Sequence, residues 1–284
     1  MKNMIKTELW KALRNPWFYL ALALGCGIVA LDVIQNAYGI YNFNLIIQDT
    51  WNYGFARSAT GYSLFVNWMG VSSFSYGSVL FFNTWPILAA LPFSWSYAKE
   101  RKNGVYNQLV CRCGKKTYFC AKVLAVFVSG GLAVSVPLLV DLLVNAMVLP
   151  DMLPNVLMEG LGQSRSFLIE LYFTYPWIHA LLWLGIDFLW GGTAACLCFV
   201  VGSKLRLQVL TMLVPYVIFY LLDWAGTMLF NNISWIPCEL SPMELARAIT
   251  LINNPGWIIF LEMGVLLAIG LIFGYRQVVK RELA

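Results

Sequence analysis

Long apolar runs alternate with short polar ones along the whole chain. Six stretches of about 20 mostly apolar residues, each enough to cross about 30 Å of hydrocarbon, lie near 17–38, 77–98, 119–148, 179–201, 207–230 and 256–275. The pattern predicts an all-α polytopic membrane protein with six transmembrane helices. Ahead of the first run, MKNMIKTELWKALR puts Met4, Ile5, Leu9, Ala12 and Leu13 on one helical face, with Lys2, Lys6, Lys11 and Arg14 mostly elsewhere. Such a helix, over 1–15, is expected to lie as an elbow in the membrane interface. Asn15 and Pro16 then supply an N-cap and a first helical position for the first span.

Composition agrees with this reading. The 284 residues are 60% hydrophobic, with a mean hydropathy of +0.69, against about 45–50% apolar residues in a soluble domain. No repeat of 20–50 residues and no second globular domain stands out, so 1–284 reads as a single membrane domain. The first run lacks a small-residue cleavage pattern, and no cleaved signal is expected. The segments 39–76, 149–178 and 231–255 are rich in aromatics, and Trp51, Trp68, Trp177, Trp235 and Trp257 suit a headgroup belt.

Charge orients the runs. With both termini cytoplasmic, the inner side holds Lys2, Lys6, Lys11 and Arg14, then Lys99, Arg101, Lys102, Arg112, Lys115, Lys116 and Lys122. It also holds Lys204 and Arg206, then Arg276, Lys280 and Arg281. Only Arg57, Arg165 and Arg247 fall outside. Basic residues near span ends stay on the cytoplasmic side, so the net charge of +5 belongs to the inner face and implies no nucleic-acid partner.

The densest basic stretch, KERKNGVYNQLVCRCGKKTYFCAK (99–122), also carries Val105, Tyr106, Leu109, Val110 and Cys113 at helical spacing. Asn103 is a candidate N-cap and Gly114 a stop, predicting a short amphipathic helix over 103–113. Such a loop could rest on anionic lipid or fit a cleft on a partner protein.

Several chemistries find no support. GKKT at 114–117 would need Gly at Leu109 and Ser or Thr at Lys116 to be a phosphate loop. Cys111 and Cys113 lack further zinc ligands, and the seven cysteines suggest no structural disulfide. His179 is the only histidine, no GxSxG pattern occurs, and no catalytic or metal-binding residue is proposed.

The spacing Glu100, Gly104, Leu109, Lys116, Lys122, with the amphipathic N-terminus and the closing GYRQVVKREL, resembles the permease subunits of ABC-2 type transporters. Val105 replaces the usual Thr and Cys113 the usual Pro. The resemblance implies a multi-pass subunit of a bacterial plasma membrane that exports its cargo. It implies cytoplasmic ABC ATPase subunits that carry the ATP and Mg, no cofactor on this chain, and a second permease subunit, identical or related. It further implies that Tyr106, Leu109 and Val110 pack on the ATPase, with Glu100, Gly104, Arg112 and Lys122 completing the coupling segment.

Five carboxylates fall inside the expected spans, toward their outer ends: Asp32, Asp141, Asp187, Asp223 and Glu262. Each costs up to about 2.5–3.5 kcal/mol at the bilayer centre. They are either hydrogen-bonded structural groups or an acidic outer vestibule for a cationic or amphipathic cargo. Pro86, Pro92 and Pro215 mark expected kinks. Gly270 and Gly274, like Gly191 and Gly192, suit close helix packing, within the subunit or at a dimer contact. The favoured cargo is an amphipathic peptide or toxin, with self-immunity a related role. Lipid, drug or polymer export is the alternative, ahead of an ATP-independent channel or secondary transporter and a membrane enzyme.

Overall fold

The computed structural model describes residues 2–51, 63–72, 75–154, 166–202, 208–232, 238, 240–250 and 253–279. Arg57, Arg165, Trp235, the 204–206 turn and the chain from Lys280 onward lie outside them. Among the described residues the regular structure is helical: α1 (Lys2–Leu13), α2 (Pro16–Trp51), α3 (Leu64–Asn67), α4 (Tyr76–Ala90), α5 (Ser96–Lys102) and α6 (Val105–Cys113). There follow α7 (Lys115–Val148), α8 (Ile169–Thr174), α9 (Pro176–Gly202), α10 (Gln208–Asn232), α11 (Pro242–Leu245) and α12 (Gly256–Val278).

Four segments are long and apolar enough to cross a membrane: Pro16–Asn42, Lys115–Val148, Pro176–Val201 and Gly256–Val278. α10 contributes a shorter apolar stretch, Tyr216–Leu229. The run near 77–98 is not one helix. α4 accommodates Pro86 but ends at Ala90, and the chain turns through Leu91–Trp95 before α5. Pro92, which has no N–H to continue the ladder, sits in that turn.

The buried side chains form two clusters at different heights. A smaller one gathers Ala12 of α1, Tyr97 of α5, Tyr106 and Val110 of α6, Tyr118 and Phe119 of α7, Phe199 of α9 and Val278 of α12. This is the basic end of the molecule. The larger cluster runs from Ala21 to the opposite end, where Trp68, Leu149, Tyr172, Leu245 and Ile258 meet. α2 and α7 therefore run from the basic end to the far end, and α9 and α12 run back.

Small residues allow the long helices to touch. A Cβ on Gly191 of α9 would lie 2.8 Å from the Gly130 carbonyl oxygen of α7, and one on Gly130 would lie 2.4 Å from Ala195 Cβ. Likewise a Cβ on Gly25 would meet Pro137 of α7 at 2.4 Å. Of the glycines singled out in sequence, Gly191 and Gly192 make such close contacts within the chain, a Cβ on Gly192 lying 2.6 Å from the Phe127 ring. Gly274 is looser, at 3.1 Å from Val200, and Gly270 meets Leu197 at an ordinary 3.5 Å.

The interfacial belt needs one correction. Trp68 is only 1% exposed, and its indole N–H donates to the Leu138 carbonyl at 3.1 Å. It is a core residue, because α3 folds back onto α7. Trp177 and Trp257 are exposed.

Candidate coupling site and buried carboxylates

α5 and α6 form the basic-end platform, and a glycine hinge separates them. The Asn103 N–H closes the end of α5 on the Lys99 carbonyl at 3.0 Å, so Asn103 caps the preceding helix rather than starting the next. Gly104 takes the N-cap position with φ +71°, and Gly114 follows α6 with φ +80°. Both angles favour glycine, since a Cβ there meets the backbone. The sequence reading placed Gly114 correctly, the N-cap one residue early and the start of the helix, at 103 rather than Val105, two residues early.

The apolar ridge of α6 turns inward. Tyr106 and Val110 are buried and Leu109 is half-buried against the basic-end core. Tyr106 stacks edge-on against Tyr97 and Tyr118, and its hydroxyl donates to the Val278 carbonyl at 2.8 Å. The ridge implied by resemblance to meet a partner therefore packs on this chain and ties α6 to the end of α12. What α6 leaves exposed is Val105, Asn107, Gln108, Cys111 and Arg112.

Glu100 and Lys122, paired in sequence only by spacing, are joined in space. Lys122 Nζ donates to Glu100 Oε1 at 2.6 Å and to Glu8 Oε2 at 2.8 Å, while Tyr118 donates to Glu100 Oε2 at 2.5 Å. The ammonium also lies 4.5 Å from the Phe93 ring centroid. Glu8 and Lys122 are fully buried. Burial would raise the Glu8 pKa, but the charges and hydrogen bonds of Lys122 and Lys11 outweigh it and hold the carboxyl below its ordinary value. Sequence reading missed Glu8, although it sits in register with Met4 and Ala12 on the apolar face of α1. An acid on that face was the available signal.

No family model, curated protein or solved structure matches this chain.

Of the five acids expected within spans, two are brought together. Asp32 on α2 accepts from Asn36 at 2.9 Å, Asn36 donates to Asn145 Oδ1 at 3.3 Å, and Asn145 donates to Asp141 Oδ1 at 2.9 Å. Asp141 Oδ2 also accepts the Met69 N–H at 2.9 Å. All four side chains are buried. Asp32 Oδ1 lies against α4, where a Cβ on Gly77 would lie 2.6 Å from it. The network bridges α2 to α7 and to the α3 turn.

The other three acids have separate settings. Asp187 is 2% exposed on α9, with Oδ1 unpartnered among the described residues. His179, Trp183 and Trp190 lie along the same helical face and bury ring nitrogens that also lack partners there. Asp223 of α10 accepts from the Ser241 hydroxyl at the start of α11. Glu262 is half-buried on α12. Among the described residues, hydrogen bonds link Asp32 and Asp141 into one network, while Asp187 and Asp223 have separate surroundings.

Proposed function

We propose that this chain is the membrane-spanning subunit of an ATP-driven exporter of the ABC-2 type, cytoplasmic at its basic end. In this reading α4 with α5, and α10, complete six passes with the four long apolar helices. Separate subunits bind and hydrolyse ATP, a second permease copy or relative completes the path, and no chemistry occurs on this chain.

The observation that carries the reading is the build of α6. It is a short amphipathic helix between two glycines of positive φ, attached by Tyr106 to α12. The adjacent α5 is attached through Glu100 and Lys122 to α7 and α1. A push on this platform reaches three helices at once. The exposed face with Asn107, Gln108, Cys111 and Arg112 is the surface that receives it. Affinity for the partner that differs between two membrane conformations is all such coupling requires.

Amphipathic peptides or toxins remain the favoured cargo, with self-immunity as a related role. The test is purification of the assembly with its ATP-binding subunit, followed by ATPase assays against a panel of peptides, lipids and drugs. Stimulation by peptides supports the reading, and stimulation only by lipids or drugs moves the assignment to those cargoes. The Asp32–Asn36–Asn145–Asp141 network favours a second reading, an ion-coupled carrier without ATPase. Transport that follows an ion gradient and ignores ATP would select it.

A further inference from the structure

A cleft of about 430 Å³ opens between α1 and the α4–α5 turn, lined by Trp10, Arg14, Trp95, Ser96 and Lys99 among others. We propose that it holds the phosphate headgroup of one anionic phospholipid of the inner leaflet.

Its charges are already sorted. Glu100, on the wall, is engaged by Lys122 and Tyr118, and Lys11 is paired with Glu8 at 2.7 Å. Arg14 and Lys99 have no carboxylate within ion-pair distance among the described residues. Each is instead held over an indole, Arg14 Cζ at 4.5 Å from the Trp10 centroid and Lys99 Nζ at 5.2 Å from that of Trp95. Each contact is worth about 0.5–1 kcal/mol at such an exposed position and biases the cation toward the cleft mouth.

A third group points to a ligand independently of charge. Ser96 is 5% exposed and its hydroxyl has no hydrogen-bond partner among the described residues. The residue lines the cleft, and its covered hydroxyl gains a bond when the side chain turns toward an entering phosphate oxygen.

The surroundings select lipid over a soluble anion. Trp17 packs edge-on against Trp95 at 6.3 Å, and it continues into the exposed apolar surface of α2 at Tyr19 and Leu20. Indoles beside a charged site, with apolar side chains leading away, match a headgroup whose acyl chains lie along α2. A bound lipid would brace α1 against α5, the same two elements that Lys122 joins.

The inference does not depend on any ATPase and is tested on the purified chain by native mass spectrometry with phosphatidylglycerol or phosphatidylcholine added. One phosphatidylglycerol should be retained in preference, and Arg14→Gln with Lys99→Gln should weaken its retention by about thirtyfold. Ser96→Ala should weaken it by a smaller factor, and Arg14→Lys with Lys99→Arg should largely preserve it. Lys2→Gln with Lys6→Gln removes equal charge from exposed positions of α1 and should leave retention unchanged. Equal loss in that control, or no loss in the Arg14 and Lys99 variant, overturns the site. Displacement of the lipid by inorganic phosphate or glycerol phosphate overturns the lipid assignment in favour of a soluble anion.

Discussion

Lys122 Nζ lies 2.8 Å from Glu8 Oε2, and this contact joins a short helix that begins at Lys2 to a long apolar helix that begins at Lys115. With Glu100 at 2.6 Å on the other side, one buried cation serves two acids. Lys122→Met leaves both carboxylates without it and should cost about 3–5 kcal/mol. Glu8→Leu combined with Lys122→Met should recover part of that loss, because the pair then becomes apolar. Thermal unfolding in detergent reads both, and strictly additive losses would contradict a coupled pair.

The same contact has a pH signature. The Glu8 carboxyl is held below its ordinary value near 4.5, so its folded pKa is lower than its unfolded one. Its contribution is fully present above the unfolded value and is lost as pH falls through the folded value. The protection factor of α1 against hydrogen exchange, taken relative to the intrinsic rate at each pH, should hold at neutral pH and fall only below about 4.5. In Glu8→Gln this acid-dependent loss should be much reduced; an unchanged acid response would assign it elsewhere.

Asp141 accepts from both Met69 N–H and Asn145. Asp141→Leu strands two buried donors, each at about 1–3 kcal/mol, whereas Asp141→Asn retains one acceptor and should cost less. Comparison of melting temperatures distinguishes a structural network from a cargo path. If both variants are as stable as the parent, the hydrogen bonds do not support the fold.

Gly191 meets the backbone of Gly130, while a Cβ on Gly185 would meet nothing within 4 Å. Gly191→Val should therefore destabilise by about 1–3 kcal/mol through overpacking, and Gly185→Ala should be near neutral. Equal behaviour of the two would argue against close packing of α7 on α9.

Much of the fold was legible because hydrophobic period and length report directly on membrane helices. Pro16 at the start of α2, Gly114 after α6, and the glycines of α9 all carried local meaning that survived folding. Partners distant in the chain carried no such signal. Nothing in the sequence distance between Glu8 and Lys122 indicates contact, and the ridge of α6 looks the same whether it faces a partner or the chain's own core. The break after Ala90 was hidden because Pro86, tolerated inside α4, and Pro92, in the turn, read alike. The five acids looked equivalent by position, yet among the described residues Asp32 and Asp141 are the pair bridged, through Asn36 and Asn145.

The α6 platform is tested most directly by affinity purification of the chain from its native membrane, with and without the substitutions Gln108→Glu and Arg112→Glu on its exposed face. The parent chain should carry an ATP-binding subunit in stoichiometric amount, and the substituted chain should lose it by about tenfold or more while keeping its own melting temperature. Cys111, exposed on the same face, should crosslink to that subunit. Absence of any ATP-binding partner, or a partner retained equally by both chains, would contradict α6 as the point of coupling.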